Sequence, residues 1–143
     1  MLLNSKIWLP KYMFIMKLVS INYPKSPNDV TKKKYYDFIQ NLPLLFPNEP
    51  LGNNLIKMLD KFPVTPYLES RLSFMKWVHF TNNKLRESIE ETKLSFSESL
   101  EFFYEEFKTD RTKKRELYLQ RKKFIQIAVL IGGIGLIFYL YNK

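Results

Sequence analysis

Few side chains in this sequence can do chemistry. Cysteine is absent and His79 is the single histidine, which excludes thiolate nucleophiles, disulfides and thiolate metal sites and leaves any metal to carboxylates almost alone. Glu98, Glu101, Glu105 and Glu106 are close enough in sequence to suggest a carboxylate pair. Nothing nearby supplies a second catalytic group, and they read as the solvated face of a helix. The remaining candidate is Phe46-Pro47-Asn48-Glu49-Pro50-Leu51. Asn48 is a good N-cap, and Pro50 fits a first helical turn, where the amide it lacks would be unpaired anyway. A helix start of this kind stabilises a thiolate or an anion through its N–H groups and positive potential. Here it carries an asparagine and a leucine, so the stretch is either a plain cap or the remnant of a site.

The elements that would position this turn are helical. Glycine is scarce, the longer segments repeat their apolar residues with helical period, and the 45% hydrophobic content supplies a core, which argues against disorder. The reading is all-α, with a compact four-helix bundle over residues 1–92. A first helix from Lys11 to Asn22 has almost no polar face and is predicted to be buried on most sides. Ser26-Pro27 opens a second, running to about Leu42, with Val30, Tyr35, Phe38, Ile39 and Leu42 inward. The third runs from Pro50 to about Lys61 and buries Leu51, Leu55, Met58, Leu59 and Phe62. Thr65-Pro66 opens the fourth, which turns Leu68, Leu72, Met75, Trp77, Val78, Leu85 and Ile89 inward and, lacking an internal proline or glycine, is free to continue past Ile89.

Residues 93–123 form an amphipathic and then basic juxtamembrane helix. Phe96, Leu100, Phe103 and Phe107 make one narrow stripe, which suits either packing back on the same domain or a seam with a partner helix. Residues 124–141 are apolar apart from Gln126; at about 1.5 Å per residue they match a hydrocarbon core and read as a C-terminal membrane anchor. Arg121, Lys122 and Lys123 stand at its interface and place the N-terminal domain on the cytosolic side. Residues 108–123 hold eight basic and two acidic side chains, against fourteen and twelve in residues 1–107. The excess charge of the chain is thus in the neck beside the anchor, which favours anionic headgroups over nucleic acid.

The order of landmarks from Trp8 to Ile89 resembles the Erv/ALR family of FAD-linked sulfhydryl oxidases, its short viral branch above all. Ile7-Trp8-Leu9-Pro10 is similar to the Trp-Gly-Pro that opens the family's helical domain, and Asn22-Tyr23-Pro24 to its Asn-Tyr-Pro helix end. Lys33-Lys34-Tyr35-Tyr36-Asp37-Phe38 resembles part of its second helix. Pro47-Asn48-Glu49-Pro50-Leu51 stands where the family has Pro-Cys-x-x-Cys. Arg71 precedes Trp77 by the family's six positions, and Asn82-Asn83-Lys84-Leu85-Arg86 stands where the family has His-Asn-x-x-Asn.

The resemblance implies a bundle whose redox cysteines are replaced by Asn48 and Leu51. Its flavin positions would be Leu9, Met13, Lys17, Asn82 and Arg86, with Asn83 alone retained, and His79 lies one turn before the family histidine as a structural or surface residue. Thiol oxidation by this route needs a thiolate to attack a disulfide and a second cysteine to reduce the flavin; no catalytic residue for it is present. No metal and no cofactor is expected, FAD being the one the fold would hold. The expected function is a catalytically inactive, tail-anchored structural or assembly protein, a virion-membrane or minor capsid-associated component of a large DNA virus. The alternatives are an accessory subunit of a mitochondrial inner-membrane complex, a flavoprotein with altered chemistry, or a lipid-surface adaptor outside this family. Expected partners are the membrane, other proteins of an assembly, and a second copy or an active paralogue; nucleic acid is not among them.

Overall fold

A computed structural model describes residues 3–142. Met1, Leu2 and Lys143, the last a flanking charge of the anchor, lie outside the described residues. Six α-helices, α1 (Ser5–Ile21), α2 (Asp29–Asn41), α3 (Glu49–Lys61), α4 (Arg71–Ser88), α5 (Phe96–Glu106) and α6 (Asp110–Tyr141), are joined by short connections, two of which contain 3₁₀ turns at Leu42–Leu45 and Thr65–Tyr67. There is no strand among the described residues, as the helical periodicity predicts.

Side-chain caps set most of the helix starts. Asn4 accepts from Lys6 N, Asn28 from Thr31 N, Asn48 from Leu51 N and Ser70 from Ser73 N. Three of these shift an expected boundary. Because Asn4 caps early, α1 begins at Ser5 and carries Pro10 inside it, where the missing amide removes one helical hydrogen bond. The second helix starts after Asn28, not at Ser26-Pro27, and Val30 is turned to solvent. Thr65-Pro66 opens a 3₁₀ turn, and the fourth helix waits for Ser70, which leaves Leu72 exposed. Nor does that helix run on past Ile89, since Glu90 adopts a positive φ of 60° and ends it.

Two compact units result, Met1–Phe103 and Tyr104–Lys143. The division differs from breaks at 92 and 123. Residues 94–103 pack within the first unit, and the basic neck and apolar segment form one uninterrupted helix, α6.

The first unit is built around aromatic rings. Tyr23 is fully buried, meets Tyr35 and Phe74 at centroid distances of 4.6 and 5.0 Å, and donates its hydroxyl to Leu68 O at 2.7 Å. Arg71 Nε donates to the Tyr23 carbonyl and so ties the start of α4 to the end of α1. Trp77 stacks on Phe74 and donates from Nε1 to Phe62 O at 3.1 Å, satisfying the carbonyl of the residue that caps the end of α3. A second group, Trp8, Tyr12 and Phe46, packs edge to face at 5.0–5.4 Å. Tyr12 also donates to Leu45 O at 2.8 Å, so the turn before α3 is held against the first half of α1. α1 is less enclosed than its composition predicts. Met13, Met16 and Ser20 are buried, but Ile7 and Ile15 face solvent.

The second unit contains α6, 32 residues long, or about 48 Å. Thr109 caps it, and Lys108 pairs with Glu105 and with Glu116 at its start. α6 is long and apolar enough to cross a bilayer, and its length exceeds a hydrocarbon core of about 30 Å.

Candidate functional site: the face of α1 and α4 beneath α5

The positions that resemblance assigns to cofactor chemistry divide into two groups. Asn48 and Leu51 lie in the first turn of α3. Asn48 Oδ1 accepts from Leu51 N at 3.1 Å and Leu51 is buried, so this turn is a working helix cap. We expect Asn48→Ala to cost about 1 kcal/mol of stability through loss of that cap, read as a lower thermal midpoint of the full chain in detergent. Asn48→Asp should retain most of it.

The second group lies where α1 and α4 pack together. Leu9 and Met13 are buried in the core. Asn82 Nδ2 donates to Met13 O at 3.1 Å, bracing the two helices, while Asn82 Oδ1 and the neighbouring Thr81 Oγ1 are buried without a hydrogen-bond partner. From the next residue and from one turn on, polar side chains reach towards the segment that follows α4. Asn83 makes a two-point contact with Leu94, donating from Nδ2 to its carbonyl at 2.9 Å and accepting from its amide at 3.1 Å. Arg86 donates to Thr92 O at 2.7 Å and pairs with Glu91 at 3.2 Å.

Lys17 and His79 complete the arrangement. Lys17 Nζ donates to Ser99 O and to Ser99 Oγ at 2.6 and 2.7 Å, His79 Nδ1 lies 3.1 Å from the same Oγ, and Asn83 Nδ2 lies 3.2 Å from His79 Nε2. The proton positions follow. Asn83 presents its amide N–H₂, because the Leu94 contact fixes its orientation, so Nε2 accepts. Nδ1 then carries the proton and donates to Ser99 Oγ, which passes its own to Phe96 O at 3.4 Å. Burial, and secondly the Arg86 charge, lowers the Lys17 pKa to about 8. Burial and then the Lys17 charge push the His79 pKa down.

Rings close the cover: Phe96 meets His79 edge to face at 5.4 Å, and Phe103 lies 5.1 Å from Phe14. Phe96 and Phe103 of the stripe therefore meet their own domain, the first of the two readings open from sequence; Phe107 is exposed and lies in the other unit. Ser99 and His79 are at hydrogen-bond distance, yet the serine is buried and its hydroxyl already accepts twice and donates once. The pair holds a segment in place and offers no nucleophile. Sequence reasoning missed Ser99 altogether; His79, expected to be a structural or surface residue, is structural, at hydrogen-bond distance from Ser99 and Asn83. A serine beside an apolar stripe, 82 positions from the lysine that needs it, gives no local signal.

No family model and no curated protein sequence matches this chain. Solved structures do. The yeast Erv1 core aligns with a TM-score of 0.61 over 66% of this chain and 79% of that one, at 18% identity. The fold is Erv/ALR-like. The FAD-binding domain of Erv1 from Saccharomyces cerevisiae aligns with the same score and identity over 89% of its length. At 18% identity the likeness to Erv1 shows the fold alone.

Proposed function

We propose that this chain is a catalytically silent, membrane-anchored Erv/ALR-like protein that works as a structural or assembly component, in the setting of a large DNA virus with an internal membrane. One observation carries the reading. Three of the four polar side chains at the positions matching the family's flavin contacts are spent on this chain's own residues 92–103, and the fourth, Asn82, bonds Met13 O. Asn83 holds Leu94, Lys17 holds Ser99 and Arg86 holds Thr92. Leu9 and Met13 are core, and none of the five replaced positions offers a ring to stack on isoalloxazine. The set does not fit a flavin, and a chain without cysteine has no thiol to pass electrons to one. What the sequence retains is packing: Trp8, Tyr23, Arg71 and Trp77 all hold helices together.

The membrane attachment is supported by α6. Its apolar half has no Asp, Glu, Lys or Arg between Phe124 and Tyr141, and Arg121, Lys122 and Lys123 stand where headgroups would meet it.

The test uses the full chain extracted in mild detergent. It should be colourless, and saturating FAD should leave its thermal midpoint unchanged, whereas a ligand at a hundred times its Kd would add about 2.7 kcal/mol. Extraction from its native membrane should yield a stable complex with other proteins or a second copy. Saturable flavin binding would overturn the first half of the proposal and favour a flavoprotein with altered chemistry. A strictly monomeric protein would overturn the second half.

A further inference from the structure

Among the contacts that hold residues 92–103 is one hydrogen-bonded chain with an imidazole at its centre. Asn83 Nδ2, His79 Nε2, His79 Nδ1, Ser99 Oγ and Lys17 Nζ follow one another at 3.2, 3.1 and 2.7 Å across the intervening contacts, with the imidazole in the middle. Every donor and acceptor in this chain is assigned only while the ring is neutral. A second proton on Nε2 would point an N–H at an amide N–H₂. Asn83 cannot answer by turning over its amide, because that would set its N–H₂ against the Leu94 amide and its oxygen against the Leu94 carbonyl, breaking both bonds to α5's lead-in.

The charges around the ring add to this. From α1 it is faced by the Lys17 ammonium, from the α5 segment by Ser99 and Phe96, and along α4 by Asn83, with Arg86 beyond. Among the described residues no carboxylate bonds to the ring. Glu91 is taken by Arg86, and Glu98 accepts from Ser95 N. An imidazolium here would be a second cation in a part-buried site with no counter-charge.

We propose that Asn83, His79, Ser99 and Lys17 form an acid-sensitive latch, in which protonation of His79 releases residues 92–103 from α1 and α4 while the helical bundle stays folded. This inference holds whether or not the chain is catalytically silent. The sign follows from linkage. The latched state binds the imidazole proton more weakly than the released state, so the latch is intact above the ordinary histidine pKa of about 6.5 and weakens as pH falls below it. Lys17, with its pKa lowered to about 8, is mostly charged at pH 7.5 and more so below, so its own titration contributes little to the change. The opening equilibrium should rise by up to about 30-fold between pH 7.5 and pH 5, the ratio of 1 + 10^(pKa − pH) at the two pH values for a released imidazole of pKa about 6.5 when the latched ring takes up no proton.

The experiment is hydrogen–deuterium exchange of the full chain in detergent micelles at pH 7.5 and pH 5, with rates corrected for the intrinsic pH dependence. Amides of 94–103 should lose up to about 30-fold of their protection, while those of α3 and the Trp77 turn of α4 keep theirs. His79→Gln should abolish the pH response. Because the chain has one histidine, its imidazole C2–H signal can also be followed in the unmodified protein, and its midpoint should fall below 6.5 and coincide with the loss of protection. Unchanged protection of 94–103 would overturn the latch. So would an imidazole titrating at its ordinary value, or a His79→Gln chain that keeps the pH response.

Discussion

Trp77→Ala should lower the stability of the helical unit by about 3–5 kcal/mol. Trp77 is 2% exposed, stacks on the fully buried Phe74 and gives its indole N–H to Phe62 O. Truncation leaves a cavity in the centre of the aromatic group and strips the end of α3 of its partner. Against a total of about 5–15 kcal/mol for an ordinary domain, the loss is a large share of what holds the unit folded. Thermal melts followed by circular dichroism at 222 nm, in detergent, should show a midpoint lower by at least about 12 °C. Trp77→Phe separates the two contributions. It keeps most of the ring and loses the N–H, and should cost about 1–3 kcal/mol for the carbonyl left unpaired.

Gly52 should behave against helix propensity. It lies inside α3, where exchanging glycine for alanine ordinarily gains about 1 kcal/mol. A Cβ at Gly52, however, would stand 2.8 Å from the backbone carbonyl oxygen of Pro43, a residue in the buried first half of the 3₁₀ turn, which has little room to retreat. Gly52→Ala should therefore destabilise by about 1–2 kcal/mol and Gly52→Val by about 3 kcal/mol, the range of overpacked cores. Urea titrations of the same detergent-solubilised chain would read both. An alanine variant as stable as the parent would mean that the turn and α3 separate easily.

The helical class and the inward residues at Ile39, Leu55, Leu59, Trp77, Val78 and Leu85 were legible because a buried stripe imposes a 3.6-residue period on its sequence. Helix starts were less so. Ser26-Pro27 and Thr65-Pro66 look like openings, since proline's fixed φ suits a first turn, but the side chains that accept the unpaired amides are those of Asn28 and Ser70. Which of two nearby polar residues caps a helix depends on tertiary packing. The positions at Lys17, Asn82, Asn83 and Arg86 could be placed near one another through family resemblance. Their present use could not be, because the four-three-four spacing from Phe96 to Phe107 is the same whichever apolar surface it meets. The partners that decide the outcome, Lys17 with Ser99 and Asn83 with Leu94, are related by no periodicity.

The edge-to-face contact of Trp8, Tyr12 and Phe46 joins the turn before α3 to α1 with rings, in a chain that has no sulfur bridge to form. Its maturation therefore includes no oxidation step. These residues need no disulfide catalyst to reach the native state, and a shift in glutathione poise leaves their stability where it was. A protein built in this way can be made in a reducing compartment and keep the same shape after transfer to an oxidising one.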